Sequence, residues 1–73
     1  MTEAYILTLA REYLDCIAEA KGTVYNERER NYWNAQRSVI HDELIRLLGA
    51  DYARPFDMAA HCRELLRQER VQL

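Results

Sequence analysis

The 73-residue chain has four His and Cys side chains that are possible metal ligands: Cys16, His41, His61 and Cys62. A zinc site needs ligands at short fixed intervals, so that one turn of chain carries two of them to the same ion. No pair here has that spacing. His61 and Cys62 are adjacent, and neighbours on a helix point about 100° apart. Cys16 and Cys62 fall on apolar stripes, where a free thiol packs as a small hydrophobe. They could meet if the third helix packs on the first, but in a reducing compartment they are expected to stay unlinked. His41, Asp42 and Glu43 are consecutive, so on a helix they fan outward instead of converging. There is no Ser or Cys nucleophile with an evident base, no Gly-rich phosphate loop and no carboxylate pair in an apolar setting. The sequence therefore reads as non-enzymatic, with no cofactor and no metal.

The residues suited to gripping something else are Tyr25, Arg28, Tyr32 and Trp33. Tyr and Trp are large, rigid and apolar with a polar tip, and Arg pairs bidentately; these types dominate interface hot spots. They lie in the half of a long helical stretch with the fewest aliphatic residues to pack against. Trp33 alone reads more readily as the end of a core, because it shares a stripe with Ile40. The four together read as a protein-binding patch.

Positioning those residues falls to three expected helices, at about 3–21, 24–48 and 58–72. In the first, Ile6, Leu9, Tyr13, Cys16, Ile17 and Ala20 recur at three- and four-residue spacing. Leu7, Ala10 and Leu14 widen this stripe on one flank and Tyr5 on the other. An arc near half the circumference exceeds the ~100° that one core needs, which calls for two packing partners. The second helix is expected to be one of them. The other is the third helix or a second copy of the chain.

Lys21 followed by Gly22 predicts a helix end with a left-handed glycine cap, and Thr23 a cap for the next helix. So short a connection makes the first two helices an antiparallel αα-hairpin. In the second helix Trp33, Ile40, Leu44 and Leu47 form one face. Tyr25, Tyr32 and Val39 form a second row about a quarter-turn away. Arg28, Asn31, Ala35, Asp42 and Arg46 fall opposite, with Asp42 and Arg46 spaced for an ion pair. Gly49 ends this helix. A loop over 50–56 follows, with a turn around Asp51 and Tyr52. Asp57 is expected to cap a third helix with Met58, Cys62, Leu65 and Leu66 on its apolar side, and Leu73 beyond. Arg63, Arg67 and Arg70 line its exposed surface.

The whole is expected to be one all-α domain, a small helical bundle. A domain this small buries only about 60% of the surface its unfolded chain exposes, so completion by dimerisation is expected. The net charge of −2 lacks the basic excess of a nucleic-acid binder. Glu27, Glu29, Glu64 and Glu69 interrupt the arginine rows, so nucleic acid is not expected as a partner. Nor is a membrane, since no long apolar run or leader segment is evident. The default location is cytoplasmic. The reading is a stoichiometric regulator or inhibitor of another protein, of the kind phages and mobile elements often encode, on size and composition alone. A dimeric DNA-binding regulator using the third-helix arginines, or a small subunit or assembly factor of a larger complex, are the alternatives.

Overall fold

The computed structural model describes residues 2–23, 26–49 and 54–71. They form α1 (Thr2–Gly22), α2 (Glu27–Leu48) and α3 (Pro55–Val71), and there is no strand among the described residues. The all-helical expectation holds. Both other helices pack on α1. Its wide apolar arc is thereby used within one chain, and it no longer argues for a second copy.

The core is small and lies where the three helices meet. Leu9, Ala10 and Tyr13 of α1, Leu44 of α2, and Met58, Ala59 and Cys62 of α3 are buried. Ile6, Leu14, Ile17, Ile40, Ile45, Leu47, Leu48 and Leu66 pack around them. Both cysteines are buried and free. At the edges, Arg11 of α1 holds both carboxylate oxygens of Glu69 of α3, at 2.8 and 3.0 Å. Tyr5 of α1 donates to Glu43 of α2 at 2.9 Å.

Three ends differ from expectation, each for a local reason. Thr23 does not cap α2; its hydroxyl turns back to the Glu19 and Ala20 carbonyls and closes α1. Asn26 does the capping instead. Its backbone is extended (φ −121°, ψ 93°) and its side-chain oxygen accepts from the Glu29 N–H at 3.1 Å. Glu27 and Glu29 add negative charge to that first turn, where the helix dipole favours it. Gly22 stays helical, and Gly49 (φ +97°) is the described residue that takes positive φ, donating to the Ile45 carbonyl at 2.7 Å. α3 starts two residues before Asp57, at Pro55, since a missing N–H costs nothing at a first helical position. Val24, Asp51, Tyr52, Gln72 and Leu73, and with them most of the expected loop, lie outside the described residues, as does the Arg70 side chain.

The apolar face of α2 is turned by roughly 50° from the Trp33–Ile40–Leu44–Leu47 stripe. The buried residues of α2 are His41 and Leu44, while Trp33 and Ile40 are half-covered. Tyr13 explains the turn. It is fully buried, and its hydroxyl lies 3.0 Å from His41 Nδ1. It also donates to the Pro55 carbonyl at 3.4 Å and accepts from Arg37 at 3.5 Å. One hydroxyl proton cannot serve both Pro55 and His41. With that proton on Pro55, His41 Nδ1 carries its own and donates. Polar groups are buried at low cost only when matched, and the Arg37–His41 edge of α2, turned inward, supplies two of the three partners of this hydroxyl. Among the described residues no buried side-chain nitrogen or oxygen lacks a partner.

Two expected outcomes follow from this core. Tyr13→Phe keeps the ring and strips the hydroxyl from three partners, so it should cost about 1–3 kcal/mol while far-UV helicity is kept. Urea unfolding measures it, and an unchanged midpoint would remove the hydroxyl from its central place. Burial also pushes the Cys62 thiol up to about 11. It raises Cys16 too, with the Glu12 and Asp15 charges adding to the effect. In native buffer at pH 8 neither thiol should react with a disulfide reagent until denaturant is added. Because the folded state disfavours the Cys62 thiolate, its contribution to stability is whole below pH 9 and falls away as pH rises toward 11.

Candidate functional site

With α2 turned in this way, one side of the α1–α2 pair is left open. Tyr5, Tyr32 and Val39 on that side are 45, 55 and 67% exposed. Two hollows line it, and no residue of α3 contributes to either wall. The larger, of about 720 Å³, has Cys16 and Ala18 of α1 and Ile40 and Gln36 of α2 in its lining, with Tyr32 and Trp33 at one end. The smaller joins it at Ile40 and runs past Leu9, Val39 and Tyr5 to Arg46.

Tyr32 and Trp33 are the expected site residues that the structure brings together. Their rings meet edge to face, with centroids 5.1 Å apart and planes at 77°, an arrangement favoured by the aromatic quadrupoles. Trp33 is half-covered; Tyr32 stands further out. Arg28 is exposed one helical turn before Tyr32, on the same face but outside the hollow's lining. Tyr25 lies outside the described residues.

The opposite wall went unread in the sequence. Glu12, Asp15 and Glu19 of α1 all line the hollow. Their spacing of three and four residues puts them on one helical face, at the border of the apolar stripe. That spacing is the signal in the sequence, and it shares its period with the apolar stripe beside it. The Arg37–His41 edge was missed as well, because His41 was grouped with its neighbours Asp42 and Glu43 and not with Arg37, four residues before.

At the far end of the open side, the Glu43 carboxylate accepts from Nε and one Nη of Arg46, at 2.6 and 2.8 Å. The expected Asp42–Arg46 pairing is therefore replaced by Glu43–Arg46. Arg46 and then the Tyr5 hydroxyl hold the Glu43 carboxyl down to about 2. The same contact raises Tyr5 above its ordinary value. A depressed carboxylate contributes stability above its unfolded value of 4.5, and the contribution is lost as pH falls toward 2. In α3, Arg67 is taken by Glu64.

Among the described residues no three His, Cys, Asp or Glu side chains gather as a metal site. No helix among them is long and apolar enough to cross a membrane. Compared with protein-family models, curated proteins and solved structures, the chain matches none.

Removing the phenol by Tyr5→Phe takes away one of the three hydrogen bonds to the Glu43 carboxylate, so it should titrate at higher pH. Carboxyl carbon shifts followed by NMR from pH 1.5 to 6 would show it. A Glu43 value identical in both proteins would mean the Tyr5 contact is absent in solution.

Proposed function

We propose that the chain is a stoichiometric protein-binding module whose docking surface is the open side of the α1–α2 pair. The finer architecture belongs to the same reading, with α1 and α2 as an antiparallel αα-hairpin braced by α3. Low-numbered Tyr5 against Glu43, and higher-numbered Tyr13 against Arg37 and His41, support that sense of pairing. The observation that carries the reading is the placement of exposed apolar surface. Among the described residues, three of the four large hydrophobics most open to solvent, Tyr5, Tyr32 and Val39, lie on one side, along a groove with an aromatic pair at its end. Contiguous apolar surface of this kind marks interaction sites, and Tyr and Trp are the types that carry binding energy. Occlusion of a partner's own interface is the mechanism, with Arg28 at the margin of the contact. The setting is cytoplasmic, which suits two free thiols.

A second reading uses the same side for a homodimer. Val39 at 67% exposure, beside Tyr5 and Leu9, favours it for the smaller hollow. The DNA-binding alternative has less to stand on, since Glu64 occupies the Arg67 fork and Glu69 is held by Arg11.

Affinity capture from the native host, followed by mass spectrometry, identifies the partner. Tyr32→Ala should then weaken binding about tenfold or more, a loss of roughly 1.4 kcal/mol, without changing the fold. Phe56→Ala serves as the control: it removes an exposed ring (81%) from a different hollow, lined by Ile17, Lys21 and Arg63. Equal effects from both, or none from Tyr32→Ala, would put the docking surface elsewhere.

A further inference from the structure

The groove between α1 and α2 has an aromatic end and a carboxylate wall, and the two together select the chemistry of what enters it. We infer that its occupant is a cationic segment of a partner protein, carrying two arginine or lysine side chains about 10 Å apart. The inference rests on the docking reading above and goes on to name the class of partner.

Charge is the first ground. Glu12, Asp15 and Glu19 line the groove, and none is hydrogen-bonded or ion-paired through its side chain to a described residue. Glu43, Glu64 and Glu69, by contrast, each hold an arginine of this chain. Among the described residues no arginine or lysine lines the larger hollow, where these three carboxylates lie, and Arg46 in the adjoining smaller one is held by Glu43. At the floor, burial raises the Cys16 thiol, the Glu12 and Asp15 charges add to it, and Arg37 partly offsets them. Such a wall repels an acidic or nucleic-acid partner and draws in a basic one.

The rings are the second ground. The Tyr32–Trp33 edge-to-face pair offers π-surface to the same hollow as the carboxylates. A guanidinium stacks on an aromatic face and keeps its N–H groups for a carboxylate, so one arginine can satisfy both walls. Length is the third. Glu12 and Glu19 are seven helical residues apart, a rise of about 10 Å. A polyproline-II chain covers about that in three residues and returns every third side chain to the same side. The carboxylates are thus strung along the groove and are not gathered at one point, in keeping with the lack of a metal cluster among the described residues.

The chain's lone Trp reports directly on occupancy. The probe is a capped hexapeptide with arginine at its second and fifth positions, titrated to millimolar concentration against the full chain while the Trp33 indole N–H is followed by NMR. A saturable shift is expected, reduced several-fold by 0.5 M salt. It should be abolished in the Glu12→Gln, Asp15→Asn, Glu19→Gln triple variant, whose exposed substitutions leave helicity intact. The same peptide with glutamate at both positions should leave Trp33 unmoved. No shift with arginine, an equal shift with glutamate, or a shift that survives in the triple variant overturns the inference. A captured partner lost on Tyr32→Ala but retained by the triple variant also overturns it, while the docking surface stands; retention by both variants sinks the docking surface too. A dimer of the chain alone in sedimentation, dissociated by the triple substitution, overturns it in favour of a second copy as occupant.

Discussion

One buried hydroxyl sets the geometry of this protein. Tyr13 has no exposed surface, and its oxygen is where α1, α2 and the start of α3 meet. Its ring fills the centre of a core too small to spare it. Burying that ring brings the hydroxyl along, and the hydroxyl must be matched. Its partners are a ring nitrogen of His41, a nitrogen of Arg37 and the first carbonyl of α3. Burial raises the Tyr13 phenol above its ordinary value, and Arg37 pulls the other way. The phenol therefore stays protonated over the physiological range.

The open side of the molecule follows from that satisfied hydroxyl. An α2 that faced inward by hydrophobicity alone would bury Trp33 and Ile40 fully and leave Arg37 and His41 in water. Rotating it to serve Tyr13 swings Trp33 and Ile40 to the rim, and moves the Tyr32–Val39 row into solvent. A polar requirement at the centre is thus converted into exposed aromatic surface at the edge. Apolar burial and the matching of a polar group compete for the same helix, and here the competition is decided by a hydrogen bond.

The all-helical fold was legible because helical periodicity is written in the apolar residues themselves. Leu9, Tyr13 and Cys16 of α1, and Met58 and Cys62 of α3, are on the stripes that spacing predicts, and all are buried. Gly49 was legible as a helix end because left-handed backbone favours glycine. The capping of α2 was not, since Thr23 and Asn26 are both good caps; what decided was whether Thr23 bonded forward or back to α1, a choice local sequence does not encode. The rotation of α2 was hidden for a related reason. Apolar moments rank residues by hydrophobicity, and they place Arg and His outside unless the hydroxyl that needs them is known. The aromatic end of the groove could be read from residue types, whereas its acidic wall belongs to another helix and exists only once the two helices are side by side.

The distribution of ion pairs shows how the chain divides structural from available charge. Arg11–Glu69 joins α1 to α3, and the Tyr5–Glu43–Arg46 cluster joins α1 to α2. Both lie at the periphery, where exposed pairs contribute little individually and act mainly by fixing how the helices sit against each other. Arginines committed to those contacts are not free to neutralise the α1 wall at Glu12, Asp15 and Glu19. Local repulsion among those three on one helix face is mildly destabilising in a domain with little stability to spare. Under the docking proposed above, a cation arriving from outside would relieve that repulsion as it binds, and anything that binds only the folded state stabilises it by mass action. Occupancy of the groove and integrity of the fold would then be thermodynamically linked, with the α1 helix common to both.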